Sequence, residues 1–252
     1  MTPSRPPELP AGCRLIEHAT LDSTNTEARR LATTDRNTNR VFIWAHEQNA
    51  GRGRRGNHWV SPPGNMYLSV ILRPACDVAV ATQLGFVAAI ALADAVICAT
   101  GISPRLKWPN DLLVDDAKLS GILVESAAKE SGAIDWLVVG TGLNIASHPT
   151  TLAGTTCLRD LGSSVDVEEM VTAYADCLMT RYDEWASSGF APIRNAWLER
   201  AIGVGRPVRV RLTDHEETGI FEDLDETGAL VLVQGDRRRK ITSGEVFPVI
   251  AT

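Results

Sequence analysis

Residues 51–56, Gly-Arg-Gly-Arg-Arg-Gly, place three arginines and three glycines in six consecutive positions of a chain whose formal net charge is −6. Glycine frees the backbone to curl so that N–H groups turn inward, and arginine adds a planar fork matched to carboxylate or phosphate oxygens. The segment reads as a local anion pocket; a solvated basic turn is the plain alternative on composition alone. No Gly-Lys-Ser/Thr follows, so it is not a Walker loop. It is not a dinucleotide fingerprint either, since arginines fill the spacers without a helix start. A polyphosphate-duplex binder spreads its basic residues over a face, and their concentration here in an acidic chain disfavours nucleic acid.

Three further groupings carry polar side chains at informative places. In "KWPNDLLVDDAKLSGILVE", Lys107, Asn110, Asp111 and Lys118 stand among strand-forming residues. A compact ammonium projecting from a strand start is suited to charge building on a phosphoryl oxygen, although an ordinary hairpin explains the segment taken alone. Asp22-Ser23-Thr24-Asn25 has helix-cap character, and a helix N-terminus also offers hydroxyls and free N–H groups to a ligand. "VVGTGLNI" ends an apolar strand on glycines and Asn144, a common place for a ligand-facing turn. Trp59 and Trp108 are candidates to wall a flat ligand, with the core as their plain alternative. His46 and His58 flank the Arg/Gly loop without partners for a metal set, and no Gly-x-Ser-x-Gly elbow occurs.

These groups need elements to hold them. The spacing of Thr24 and Glu27 suggests a capping box opening a helix through "DSTNTEARRLA". "RVFIWAHE" and "MYLSVILRP" read as strands on either side of the loop, and the apolar segment 81–99 as a buried helix. "PRLKWPNDLLV", "KLSGILVES" and "DWLVVGTGLNI" follow as strand-like segments. Val167, Met170, Val171, Tyr174, Leu178, Tyr182 and Trp185 recur at helical spacing, and "APIRNAWLERA" makes another helix with Pro192 in its first turn. From Arg206 onward short strands alternate with Gly-containing turns, a small β module in which "RRRK" at 237–240 reads as an exposed hairpin end. The expected division is a flexible Pro-rich lead at 1–14, a mixed α+β main domain at 15–202 and a β-barrel-like cap at 203–252.

The 252 residues, 44% hydrophobic and 22% charged, suit an ordinary soluble globular protein of one or two domains. Five widely spaced cysteines without a CxxC pair fit free thiols in a reducing compartment. The N-terminus has no apolar core for a secretory signal, and the longest apolar run is short for a membrane span and contains Asp94. A cytoplasmic location without membrane association is expected.

Taken in order, "DSTN", "EQNAGRGRRG" with Trp59 soon after, "KWPNDLLV", "KLSGILVE" and "GTGLNI" resemble the biotin protein ligase family, with a C-terminal β module similar to its SH3-like cap. The resemblance implies a biotin/lipoate ligase fold with a mixed sheet. It also implies a two-step reaction: biotin and ATP, with Mg2+, give biotinyl-5′-AMP, and a lysine of a biotin carboxyl carrier domain then takes the biotinyl group. By the family pattern Ser23, Thr24, Asn25 and Gln48 would hold the biotin head. Gly51, Arg52, Gly53 and Arg54 would close over the biotin carboxylate and the phosphates. Lys118 would act at the reacting carboxylate and α-phosphate, with Arg54 as its catalytic partner. Gly121 and Ile122 would border the biotin tail, Trp59 would pack on the intermediate, and Lys107, Asn110 and Asn144 would lie on the adenylate side.

Two departures stand out. Asn57 occupies a position where many members carry a third arginine, which leaves Arg55 as its candidate substitute. The short stretch before Asp22 holds no helix-turn-helix, so the repressor role of some relatives is expected to be missing. A lipoate or octanoyl transferase of the same fold, and a catalytically silent biotin-binding module, are the competing readings. The acceptor would be a carrier domain of a biotin-dependent carboxylase, and the chain a monomer or weak homodimer.

Overall fold

The computed structural model describes residues 5–249. A seven-stranded mixed sheet has the order β1-β2-β3-β7-β6-β5-β4. Its strands are β1 (Arg14–Leu21), β2 (Val41–Gln48), β3 (Met66–Leu72), β4 (Arg105–Lys107), β5 (Asp111–Val114), β6 (Ala117–Ala128) and β7 (Ile134–Leu143). Only β1 and β2 run parallel; their link is helix α1 (Thr24–Thr34), and every other neighbouring pair is antiparallel.

Strand alternation sorts the core onto two faces. Phe42, Trp44, Leu68, Val70, Leu72, Leu137 and Val139 join the larger cluster with α2 (Gln83–Thr100), α3 (Val167–Ser188) and α4 (Phe190–Arg200). Val41, Ile43, Ile71, Trp136 and Val138 form the smaller cluster with Ala28 and Ala32 of α1. Helix α2 is long and apolar enough to cross a membrane, but 78% of that window is buried inside the protein. The aliphatic run is a core helix between sheet and α3.

The C-terminal module is a five-stranded antiparallel sheet of order β11-β10-β9-β8-β12, with β8 (Pro207–Arg211), β9 (Glu216–Leu224), β10 (Leu230–Gln234), β11 (Arg237–Ile241) and β12 (Glu245–Pro248). It shares the larger core through Val208, Val210, Phe221, Leu224 and Leu230. Trp108 Nε1 donates to Gly228 O at 3.1 Å across this junction, and Gln83 Nε2 donates to Glu226 O at 2.9 Å. Gly228 has φ +86°, and a Cβ there would lie 2.4 Å from the Phe86 ring. Only glycine lets the β9–β10 turn seat so closely.

The structure corrects several expectations. Thr24 and Glu27 form no capping box: Ser23 is the N-cap without a side-chain cap bond, and Glu27 turns to Arg30. The "RRRK" run is edge strand β11, exposed from Arg237 to Lys240 but paired to β10 throughout. Residues 14–21, unassigned from the sequence, form β1; an edge position leaves its outward residues polar and hides the alternation. Residues 1–4 of the Pro-rich lead lie outside the described residues. Of the rest, Leu9 and Cys13 pack on the core and Glu8 N donates to Thr172 Oγ1 at 2.9 Å.

Candidate active site

One cavity of about 470 Å3 opens between the start of α1, the loop after β2, the face of β6 and β7 that carries α1, and Gly244-Glu245 before and at β12. Its floor follows from the same alternation. On β7, Trp136 and Val138 pack beneath α1, and the next residues on that face are Gly140 and Gly142. A Cβ on Gly140 would lie 1.8 Å from Asn25 Oδ1, and one on Gly142 would lie 2.5 Å from the Trp59 indole. These two glycines open the slots in which Asn25 and Trp59 lie.

The floor is hydrogen-bonded in advance of any ligand. Ser69, wholly buried on β3 opposite Gly140, places Oγ 2.8 Å from Thr24 Oγ1 and 2.7 Å from Asn25 Oδ1. Gln48 Oε1 accepts from Thr24 N at 2.8 Å, and Gln48 Nε2 donates to Ser61 Oγ at 2.8 Å. Ser23 lines the cavity at the helix N-terminus. Neutral donors and acceptors converge here, which suits a polar uncharged head group.

The Arg/Gly loop is a compact hairpin. Trp59 N donates to Gly51 O at 2.9 Å, Gly53 N to Asn57 O at 2.7 Å and Asn57 N to Arg54 O at 3.1 Å. Arg54–Gly56 form one 3-10 turn, with Arg55 at φ 55° and Gly56 at φ 77°. The inward N–H groups expected of a nest are partly spent within the loop, which leaves mainly side chains to offer donors to the cavity. Gly51 does not line the cavity; a Cβ there would sit 2.2 Å from Trp59 O, so it keeps the hairpin neck narrow. Arg54 Nη1 donates to Asn110 Oδ1 at 2.8 Å, and burial, with Arg55 beside it, lowers its pKa below the usual arginine value. Asn110 is held in turn by Ile122 O at 2.7 Å.

Lys118 enters from β6. The β5–β6 register shifts between Leu112 and Leu113, a bulge that re-aims side chains. Leu119 goes to the core, while Lys118 Nζ stands 3.5 Å from where a Gly121 Cβ would be, on the cavity side. Its ammonium lies 2.6 Å from Asp111 Oδ1 and 5.6 Å from the Trp59 ring centroid. Four cationic side chains (Arg52, Arg54, Arg55, Lys118) line the cavity against two carboxylates, Asp111 and Glu245.

The remaining expected residues divide. Gly53, Gly121, Ile122 and Asn144 border the cavity. Ile122 does so through its backbone, since its side chain belongs to the larger core, and Asn144 Nδ2 is tied to Thr156 O at 3.0 Å. Lys107 does not line it. Its Nζ lies 3.5 Å from Glu245 Oε1 and 4.7 Å from the Phe247 ring centroid, facing the C-terminal module. Trp108 is likewise no wall, being 1% exposed and bonded to Gly228. Ser69, Ser61, Glu125 and the segment around Thr155 were not singled out from the sequence. Only the strand alternation at "MYLSVIL" offered a signal, since Ser69 is the one polar residue of an otherwise buried strand.

Residues 18–144 match the biotin/lipoate A/B protein ligase family. That alone leaves biotin and lipoate enzymes together. Residues 203–247 match the biotin protein ligase C-terminal domain. The chain belongs to the biotin protein ligase family. It is 42% identical over 242 residues to the biotin–[acetyl-CoA-carboxylase] ligase of Paracoccus denitrificans, covering 91% of this chain and 98% of that one. It is 31% identical to the bifunctional ligase/repressor BirA of Bacillus subtilis over 93% of this chain and 74% of that one. A structure of the biotin protein ligase from Aquifex aeolicus in complex with biotin and ATP superposes with a TM-score of 0.79 at 26% identity, covering 93% of this chain and 97% of that one. The mixed sheet with an SH3-like C-terminal module is the biotin protein ligase fold.

Proposed function

We infer that this biotin protein ligase joins biotin to ATP as biotinyl-5′-AMP and passes the biotinyl group to one lysine of a biotin carboxyl carrier domain. The observation that carries the reading is a cavity in which Lys118 and Arg54 stand over a neutral polar floor made by Ser23, Thr24, Asn25 and Gln48. In the first step a biotin carboxylate oxygen attacks the α-phosphorus and pyrophosphate leaves. In the second the lysine ε-amine attacks the acyl carbon and AMP leaves.

Two unit negative charges about 4 Å apart repel by roughly 4 kcal/mol at an effective dielectric near 20. The Lys118 ammonium between carboxylate and α-phosphate offsets that repulsion, and Arg54, oriented by Asn110, takes the phosphoryl oxygens. Gln48, Thr24 and Asn25 seat the head group, Gly121 and the Ile122 backbone border its tail, and Trp59 covers the intermediate. Asp111 aims Lys118, while Gly51 and Gly53 let the loop fold down over the ligands. Asn144 supports the adenylate side by tying down the segment before Leu158. Lys107 acts through Glu245 at the cavity edge.

Mg2+ belongs to this proposal as the counter-ion of the ATP phosphates. It keeps most of its waters and needs only one or two carboxylates beside phosphate, and Asp111 is the near donor on the cavity wall. No group of three His, Cys, Asp or Glu side chains fit to hold a metal occurs among the described residues. The division into a catalytic part, 15–202, and a cap, 203–252, belongs here too, as does a cytoplasmic site of action, supported by five free cysteines. The acceptor is a carboxylase carrier domain, as the Paracoccus relative's name suggests; neither nucleic acid nor membrane has a place in this reaction.

Exchange of labelled pyrophosphate into ATP tests the reading. Exchange that depends on biotin supports it. Exchange driven by lipoate, or none with either acid, overturns it.

A further inference from the structure

Glu125 stands outside the cavity wall, yet its side chain, 19% exposed, meets three different parts of the site. Its Oε2 accepts from Asn25 Nδ2 at 3.0 Å and from Arg52 Nη1 at 2.9 Å. Its Oε1 accepts from Arg52 Nη2 at 3.1 Å and from Arg29 Nη1 at 3.3 Å. One carboxylate thus joins the Arg/Gly loop, the cavity floor and the outer face of α1. It reaches all three because Gly121, Leu123 and Glu125 stand opposite Gly142, Gly140 and Val138 of β7, on the sheet face that carries α1.

We propose that Glu125 is a positioning residue that clasps the Arg/Gly loop to the cavity floor through Arg52, and that Arg52 serves this clasp rather than the anions of the substrate. The two N–H groups of Arg52 aimed at Glu125 form a bidentate pair, the geometry that fixes orientation as well as position. Beside this pair the loop is held by the Arg54–Asn110 bond and by Trp59 in its slot, while Arg52, Arg55, Gly56, Asn57 and His58 are exposed. The same carboxylate completes the seating of Asn25, whose Oδ1 is already taken by Ser69. Without it Asn25 Nδ2 keeps only its longer bond to Leu123 O at 3.4 Å, and Arg29 and Arg52 are left facing each other unneutralised. Lid and seat are therefore set by one group.

The clasp rests on the assignment of this cavity to biotin and its adenylate. Its consequence is retention: a mixed anhydride survives only while water is kept from it, so a loosened loop releases the intermediate before the carrier arrives. An Arg52 that bound phosphate instead would act on ATP, with Glu125 a mere resting partner. The test uses the full chain and the variants Glu125→Gln, Glu125→Asp, Arg52→Ala and the double variant Arg52→Ala/Glu125→Gln. Pyrophosphate exchange gives KM for biotin and for ATP. Enzyme loaded with biotin and ATP gives the rate of adenylate release to solution.

Glu125→Gln is expected to raise adenylate release and the biotin KM about tenfold while the ATP KM moves less than about twofold, and the double variant to match Arg52→Ala within about twofold. Glu125→Asp, which keeps the charge, recovers part of the loss. A larger rise in ATP KM than in biotin KM for Arg52→Ala overturns the clasp, as do multiplying effects in the double variant. So does a fall in thermal midpoint with unchanged release. If the wild-type chain shows no biotin-dependent exchange, the ligase reading fails by itself. Amide exchange of residues 50–59 in ligand-free protein then still decides the clasp: faster exchange in Glu125→Gln supports it, and unchanged exchange overturns it.

Discussion

The loop and the floor of the cavity are built on opposite principles. Floor residues Ser23, Thr24, Asn25 and Ser69 are all below 5% exposed, and Ser69 on a strand paired on both sides bonds Thr24 and Asn25. Loop residues Arg52, Arg55, Gly56, Asn57 and His58 are exposed, and Arg55 takes a left-handed backbone that favours glycine or asparagine. A surface fixed before the ligand arrives reads shape; a surface completed by charged contacts reads charge. In the proposed reaction the neutral head group meets the first, and the repelling anions meet the second.

The sharpest way to break this comparison is Lys118→Ala. It should lower pyrophosphate exchange by about 10³-fold, the scale of a lost transition-state charge contact, with circular dichroism unchanged. Near wild-type exchange would remove Lys118 from the chemistry. Next is Gly140→Ala, whose methyl meets Asn25 Oδ1. Overpacking of this kind costs about 1–3 kcal/mol, and because it strikes the seat it should raise the biotin KM at least about tenfold while leaving the ATP KM nearly unmoved. Equal rises in both would mean that floor and loop are not separable. Saturating biotin and ATP should slow amide exchange across 50–59 and leave 138–143 nearly unaffected, since the floor is already bonded. Slowing confined to the floor would reverse the assignment.

The cap supplies a control on pH. Burial opposes ionisation of Asp225, but Lys240, Thr227 and Ala229 outweigh it and draw its pKa down to about 2 from the usual 3.8. A depressed carboxyl stabilises the fold in full above its unfolded pKa and loses that contribution as pH falls from about 4 through 2. Acid unfolding should therefore steepen in that window, and Asp225→Asn should flatten it, as followed by tryptophan fluorescence. The smallest effect is expected from Asn57→Arg. An added charge in so exposed a place should lower the ATP KM by less than about fivefold. A larger gain would show that the loop lacks a phosphate contact that Arg55 does not replace.

The sequence made the loop, Lys118 and the "DSTN" helix start legible because each is local: the residue types and their spacing lie within one short run. Ser69 and Glu125 are not local in that sense. Ser69 meets Asn25 only because β3 pairs with β7 so that Ser69 stands opposite Gly140, and Glu125 meets Arg52 only because the loop after β2 folds back toward β6. Lys107 and Trp108 were placed at the cavity because they belong to the same run as Asn110. The strand and turn between them send the first to Phe247 and the second under Gly228. The main strands and helices followed from periodicity. Strand β1 did not, since an edge strand with one partner buries too little to imprint a pattern.

Trp59 lies over Gly121 and Gly142 with Lys118 beside it, whereas the other five tryptophans are at most 8% exposed. Its indole is the one that lines the cavity, so filling the cavity should change its emission over the steadier background of the rest. The chain carries its own optical gauge of occupancy, readable in a cuvette without any attached dye.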